Sequence, residues 1–162
     1  MPFTDIHNPM LASLQEPPVT QPGLVYEPKY DGIRAIVEIQ AGSISIYSRN
    51  GNDKTRQFPA IARALKALAA RLKGPVVLDG EIVAVDRDNR PLGFQHIQGR
   101  IHRMSDGDIA NAEREQPAVL VLFDILRDGD EDLRGLPLAA RTLLTHGEAD
   151  DIVPVRMSRW RW

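Results

Sequence analysis

The sequence predicts an α+β domain: a mostly antiparallel sheet flanked by helices. Three observations predict it. The β-rich runs "IRAIVEIQ" and "SISIYS" are separated only by Ala41-Gly42, a hairpin turn in which Gly42 can supply positive φ. The run "FPAIARALKALAARLK" sets Ile61, Leu65, Leu68 and Leu72 at helical spacing, with Arg63, Lys66 and Lys73 mostly on the other side, the pattern of an amphipathic helix. Two long apolar runs, "PVVLDGEIVAVD" and "AVLVLFDILRDGDED", read as buried strands.

In chain order, residues 1–22 are rich in proline and polar residues and read as an irregular segment packed on the domain by Met10, Leu11 and Leu14. The domain proper runs over 23–162. "LVYE" is a short strand and the hairpin follows. The helix ends at Gly74-Pro75. After the first buried run, "RDNRP" turns the chain, "LGFQHIQGRI" is a short helix or loop, and residues 103–116 form an exposed loop or helix. The second buried run ends in an acidic turn. "LPLAARTLLTH" is a short helix with proline near its start and Gly147 after it, and "DIVPVRM" is a last strand.

Composition narrows the function. The 162 residues are 43% hydrophobic and 26% charged, with no cysteine, which excludes disulfides and thiolate zinc sites. No apolar run approaches the ~20 residues of a membrane span, no secretory signal is evident, and the cytoplasm is the expected location. The net charge of −2 hides an asymmetry. Residues 1–75 carry nine Lys/Arg against six Asp/Glu and all four lysines, whereas residues 76–162 carry eleven against sixteen. Any nucleic-acid contact would therefore use a local basic patch rather than the overall field.

Three stretches place charge where a core should be. In "VVLDGEIVAV", Asp79 and Glu81 are two apart and share a face of the strand. This reads either as an edge strand with one wet face or as a site, since buried carboxylates need partners. Gly80 between them lets a backbone or a ligand approach. In "VLVLFDIL", Asp124 interrupts an apolar run beside Phe123. In "YEPKYDGIR", an extended chain turns Glu27, Lys29 and Asp31 to one side, Gly32 permits a tight turn, and Arg34 follows. A nucleophilic lysine must be deprotonated, which burial or a neighbouring cation favours. "YSRNGND" adds Arg49 at an Asn-Gly turn. A lysine, two arginines, several carboxylates and an aromatic describe a nucleotide pocket.

With those residues in hand, the chain resembles the adenylation (nucleotidyltransferase, ATP-grasp-like) domain of ATP-dependent DNA ligases, and looks nearest to the ligase module of the bacterial end-joining enzyme. "KYDGIR", "SRNGND", "LDGEIVAVD" and "VLFDIL" fall in the family's order, with "FQHIQGR" and "LRGLPLAAR" also similar. The similarity runs from about Pro9 to about Val155. It implies that Lys29 attacks the α-phosphate of ATP, that Glu27 recognises adenine, and that Arg34 and Arg49 contact phosphates or the nicked DNA end. It further implies that Glu81 binds the ribose hydroxyls, Phe123 stacks on adenine, and Asp31 orients the lysine or holds the metal side of the pocket. Magnesium (or manganese) and nicked or broken double-stranded DNA are the implied cofactor and partner, for DNA repair and recombination by end joining. The metal ligands are left unassigned.

The resemblance also implies two later motifs, a Glu-Gly pair and a Lys-x-Lys, and a following OB-fold domain. No lysine follows Lys73. The chain is therefore expected to be a C-terminally incomplete fragment that seals nicks poorly alone, its remaining groups supplied by a further region or a partner chain. The alternatives are a non-catalytic binding module for a nucleotide or DNA end, and an RNA ligase or capping-type nucleotidyltransferase.

Overall fold

The computed structural model describes residues 9–11, 28–138 and 140–141, together with the backbone of the strand 155–157. The expected strand "LVYE", most of the N-terminal segment and the later part of the helix after Pro137 lie outside these residues. A hairpin opens the described sheet: β1 (Ile33–Gln40) and β2 (Ser43–Ser48) pair antiparallel. Both turn residues take positive φ, Ala41 at 49° and Gly42 at 81°, the combination that matches the twist of a two-residue hairpin. Only the glycine does so without steric cost.

β3 (Val76–Ala84) pairs with β1 on one side and with β4 (Ala118–Asp128) on the other, both antiparallel. β3 is thus a central strand, and the edge-strand reading of Asp79 and Glu81 does not hold. The short β5 (Glu131–Asp132) pairs with the end of β4 across a turn in which Gly129 has φ 58°. β6 (Val155–Met157) pairs with β4 in parallel. The sheet order is β2-β1-β3-β4-β5, with β6 on β4 off that path. This is the mostly antiparallel α+β sheet that the sequence predicts.

Helix α1 (Pro59–Ala69) lays Ile61, Ala64, Leu65 and Leu68 on one face of the sheet. Each large apolar side chain buried there contributes about 1.5–3 kcal/mol. The helix stops at Ala69, four residues before the end its periodicity suggests, yet Leu72 still packs against the same core from the turn beyond. The leucine stripe reports contact with the core and not helix length. Two 3-10 turns, Phe94–His96 and Gln98–Arg100, occupy "LGFQHIQGRI". Helix α2 (Asp106–Glu115) fills the segment left open as loop or helix. Its start is written in the sequence: Ser105 Oγ accepts from Asp108 N at 3.1 Å and donates to the Asp108 carboxylate at 2.7 Å, a cap worth about 1 kcal/mol.

Gly80 is dictated by packing. A Cβ there would lie 2.4 Å from the Val121 carbonyl oxygen of β4. Gly107, in the first turn of α2, has open space around the same position. Gly80→Ala is therefore expected to destabilise the domain by roughly 1–3 kcal/mol, whereas Gly107→Ala should be neutral or stabilising by up to about 1 kcal/mol. Urea unfolding of the two variants checks this contrast, and equal effects would contradict the packing account.

Candidate nucleotide site on the outer face of the sheet

The two faces of the sheet differ in kind. On the α1 face, Leu78, Gly80, Ile82 and Ala84 of β3 continue the core. The opposite, outer face holds two small apolar clusters. Val83, Val85, Val119 and Val121 pack with Tyr30, and Ile36 and Val77 pack with Tyr47 and Leu126. Between these clusters runs a charged strip of Arg34, Asp79, Glu81 and Asp124, with Phe123 beside it.

A β-bulge builds this strip. Gly80 pairs with Leu122 while Asp79 pairs with Asp124, which leaves Phe123 as an extra residue in β4. Leu122 and Ile125, three positions apart, both face the α1 core. Phe123 and Asp124 are consequently both turned to the outer face, a re-aiming that bulges commonly provide beside functional sites. Phe123 stays half-buried, with the Arg34 guanidinium 5.9 Å from its ring centre.

Arg34 binds Asp79 at two points, Nε to Oδ1 at 3.0 Å and Nη2 to Oδ2 at 2.6 Å, and its Nη1 donates to the Met10 carbonyl at 2.8 Å. The hydrogen bonds to Asp79 raise the Arg34 pKa further above its ordinary value. Burial pushes the Asp79 carboxyl up, and the bonds and charge of Arg34 pull it back part of the way. Burial also raises Glu81, opposed by the Gly32 N–H, which donates to Glu81 Oε1 at 3.1 Å. That bond ties the "KYDG" loop to β3. Gly32 itself is pressed so close to β3 that a Cβ would lie 2.2 Å from the Ile82 carbonyl oxygen. The tight turn expected there is a close approach to β3.

The structure brings Arg34, Glu81 and Phe123 together on this face. Lys29 and Asp31 sit exposed in the loop that enters β1, and Asp31 Oδ2 accepts from Phe94 N at 3.1 Å, fastening that loop to the first 3-10 turn. Arg49 is exposed in the turn after β2. Because Ser48 pairs with Ala35, it leaves the sheet at the end where Arg34 enters. Glu27 lies outside the described residues.

Sequence reasoning omitted three charged residues from the site. Asp79 and Asp124 stood out as charges in apolar runs, and Arg34 was named, but Arg141, the partner of Asp124, was not. Arg141, in the helical turn begun by Pro137, donates to Asp124 Oδ2 at 2.8 Å. Arg100 carries a positive charge into the core. It is 1% exposed, lies over the Phe58 ring at 4.7 Å, donates to the carbonyls of Gln57 and Gln116 at 2.9 and 2.8 Å, and pairs with Glu113. An arginine in a "QGR" turn gives no hint of that burial.

An antiparallel sheet with a helical core on one face and, on the other, a carboxylate strip with an aromatic, to whose central strand a lysine loop is tied, is the architecture of a nucleotidyltransferase domain. The chain belongs to the family described as the ATP dependent DNA ligase domain, whose model matches residues 9–147, and it corresponds to the adenylation domain of that family. A DNA ligase of Pyrobaculum neutrophilum is 41% identical over 138 residues, covering 85% of this chain and 23% of that protein. The chain thus spans about a quarter of the length of the curated relatives it matches. The ligase domain of LigD from M. tuberculosis is similar in structure, with a TM-score of 0.58 at 28% identity over 82% of this chain and 38% of that one. A mycobacterial DNA ligase D in complex with ATP and MES has a TM-score of 0.58 at 27% identity, over 82% of this chain and 38% of that one.

The raised Glu81 pKa has a consequence for stability. Folding favours its protonated form, so that contribution is fully present below the ordinary glutamate value of about 4.3 and is lost as pH rises through the folded value. Glu81→Gln keeps an oxygen for the Gly32 N–H and carries no charge to bury. The melting temperature of Glu81→Gln relative to the parent should therefore be more favourable at about pH 7 than at about pH 4. Thermal melts at both values test this, and a difference that does not change with pH, or that changes in the opposite sense, would refute it.

Proposed function

We propose that this domain carries out nucleotidyl transfer from ATP through Lys29 within a DNA ligase. The observation that carries the reading is the outer-face strip, where the bulge in β4 turns Phe123 to the same face as Glu81, the carboxylate that holds the lysine loop through the Gly32 N–H. The neutral Lys29 Nζ attacks the α-phosphorus. The N–P bond forms, the bond from that phosphorus to the oxygen bridging to the β-phosphate breaks, pyrophosphate leaves, and the amine loses a proton to solvent. A lysine–AMP phosphoramidate remains. A 5′-phosphate oxygen at a DNA break then attacks the same phosphorus and the N–P bond breaks, with Lys29 recovering its proton. A 3′-hydroxyl oxygen finally attacks the activated 5′-phosphorus: the new O–P bond forms, the bond from that phosphorus to the AMP oxygen breaks, AMP departs, and the hydroxyl proton passes to solvent.

In this reading, Glu81 keeps Oε2 for the ribose hydroxyls while Oε1 holds the Gly32 N–H. Asp31 orients the lysine loop through Phe94 N. Arg34, three of whose five N–H groups are engaged, keeps two donors for phosphate. Arg49, at the same end of the sheet, is suited to a phosphate of the nucleotide or the DNA end, and Glu27 is assigned the adenine edge. Among the described residues no group of three or more His, Asp or Glu side chains is placed to hold a metal. Magnesium (or manganese) is the ion we assign to the reaction; such an ion is commonly held by one or two carboxylates and the substrate phosphates, and when bound it would neutralise phosphate charge. Positioning and charge supply most of the catalysis in such reactions.

DNA as the polynucleotide is supported by the relatives, which are named DNA ligases. Repair and recombination by end joining, in the cytoplasm, is the context we propose, supported by the likeness to the LigD ligase domain. No helix among the described residues is long and apolar enough to cross a membrane. The groups of the later motifs are assigned to a further region of the protein or to a partner chain.

Incubation with ATP labelled on the α-phosphate, with magnesium, should attach AMP covalently to the protein. Lys29→Ala should lose that label completely, and Phe123→Ala should weaken ATP binding by about 1–3 kcal/mol, the worth of one stacked base. Label that persists on Lys29→Ala would remove Lys29 from the mechanism. ATP bound without any covalent adduct on the unmodified chain would favour a binding module instead.

A further inference from the structure

Arg141 has no part in the scheme above, yet it completes a row of charges across the sheet. Its Nη1 donates to Asp124 at 2.8 Å, and the two side chains are 13% and 11% exposed. Asp124 is the cross-strand partner of Asp79, and Asp79 is gripped by Arg34 at two points. The order is Arg34 on β1, Asp79 on β3, Asp124 on β4 and Arg141 in the turn after Pro137. The bulge makes the row, because the extra residue puts Asp124 opposite Asp79 while Phe123 stands beside it.

Two buried carboxylates side by side cannot both stay ionised without a cation for each. Arg34 serves Asp79 directly, and its charge also reaches Asp124 and Glu81. Arg141 serves Asp124 directly and also acts on Asp79. If Arg141 is lost, the pair takes up a proton, and each bond that Arg34 makes to an ionised Asp79 weakens. Arg34 faces the Phe123 ring, so the disturbance reaches the stacking residue and the phosphate-facing donors together. Among the described residues, Glu81 on β3 also acts on this row, and Asp31 in the lysine loop acts on Glu81 in turn.

We propose that Arg141 is a positioning residue for nucleotidyl transfer, neutralising Asp124 so that Asp79 can hold Arg34 and the Phe123 bulge in place. This rests on the nucleotide reading above. It makes the segment after β5 part of the site, although Arg141 is assigned no contact with the substrate.

The test compares Arg141→Met, Arg141→Lys and the double variant Asp124→Asn/Arg141→Met with the parent chain. The rate of AMP attachment, the ATP KM and the urea midpoint are each measured as pH is varied. Arg141→Met should lose about tenfold in attachment rate relative to the parent at neutral pH. The variant-to-parent ratio should recover as pH falls and the carboxylate pair protonates. Arg141→Lys should retain most of the rate. The double variant, which removes the excess charge along with the cation, should restore the ratio to within about twofold at every pH. A loss independent of pH, or no rescue in the double variant, would overturn the proposal. If the parent chain itself attaches no AMP, the nucleotidyl-transfer reading fails. The charge row is then judged from the urea midpoints, which must show the same pH-dependent loss and the same rescue.

Discussion

The two-point bond between Arg34 and Asp79 is the interaction on which the outer face depends. It joins β1 and the central β3 at the level where Phe123 bulges out of β4. It also reaches back to the Met10 carbonyl in the N-terminal segment. Its side chains are 25% and 4% exposed, so the pair lies in a medium where removing one partner leaves an uncompensated charge, at a cost of about 3–5 kcal/mol. A hydrophobic pair of equal volume could make as stable a sheet. What the ion pair adds is orientation, since a planar guanidinium fixed by a carboxylate on one edge keeps its remaining donors aimed.

The sheet divides its labour by face. One face is closed by α1 and supplies the hydrophobic stabilisation. The other keeps its charged strip between two apolar clusters, where low polarity strengthens each electrostatic contact. Glycine is required twice at this boundary. Gly80 lets β4 approach at the bulge, and Gly32 lets the lysine loop press onto β3. The loop is then held from two sides, by Glu81 through Gly32 N and by Asp31 through Phe94 N. These anchors lie two and three residues after the exposed Lys29, and such fixing of a loop is what the proposed attack on a phosphate at one angle requires.

Much of this was legible in the sequence. The hairpin strands and their turn follow from β-branched alternation and a glycine, and β3 and β4 from long apolar runs broken only by Asp79, Glu81 and Asp124 and by Gly80. Asp79 and Glu81 were expected on one face because side chains in a strand alternate with period two, and the register bears this out. The limits were physical too. A run that is apolar apart from one aspartate carries no periodicity, so the bulge that decides where Phe123 and Asp124 point left no trace in "VLVLFDIL". The end of α1 was overrun because Leu72 packs on the core from a turn as readily as from a helix. The Ser105 cap of α2 was readable but lay in a segment whose charge masked Ile109 and Ala112, both buried. The arginines Arg100 and Arg141 could not be assigned, because their acidic partners become neighbours only when the sheet and its flanking turns assemble.

The central claim is that Arg34 and Asp79 act as one charged unit inside the sheet. A double-mutant cycle of Arg34→Met and Asp79→Asn, with stability measured by urea unfolding at neutral pH, tests it most directly. Each single change should destabilise the domain, and the double change should cost much less than their sum, giving a coupling energy of about 2 kcal/mol or more. Additive effects, with a coupling near zero, would show that the two side chains are separate passengers on the sheet and would contradict this account.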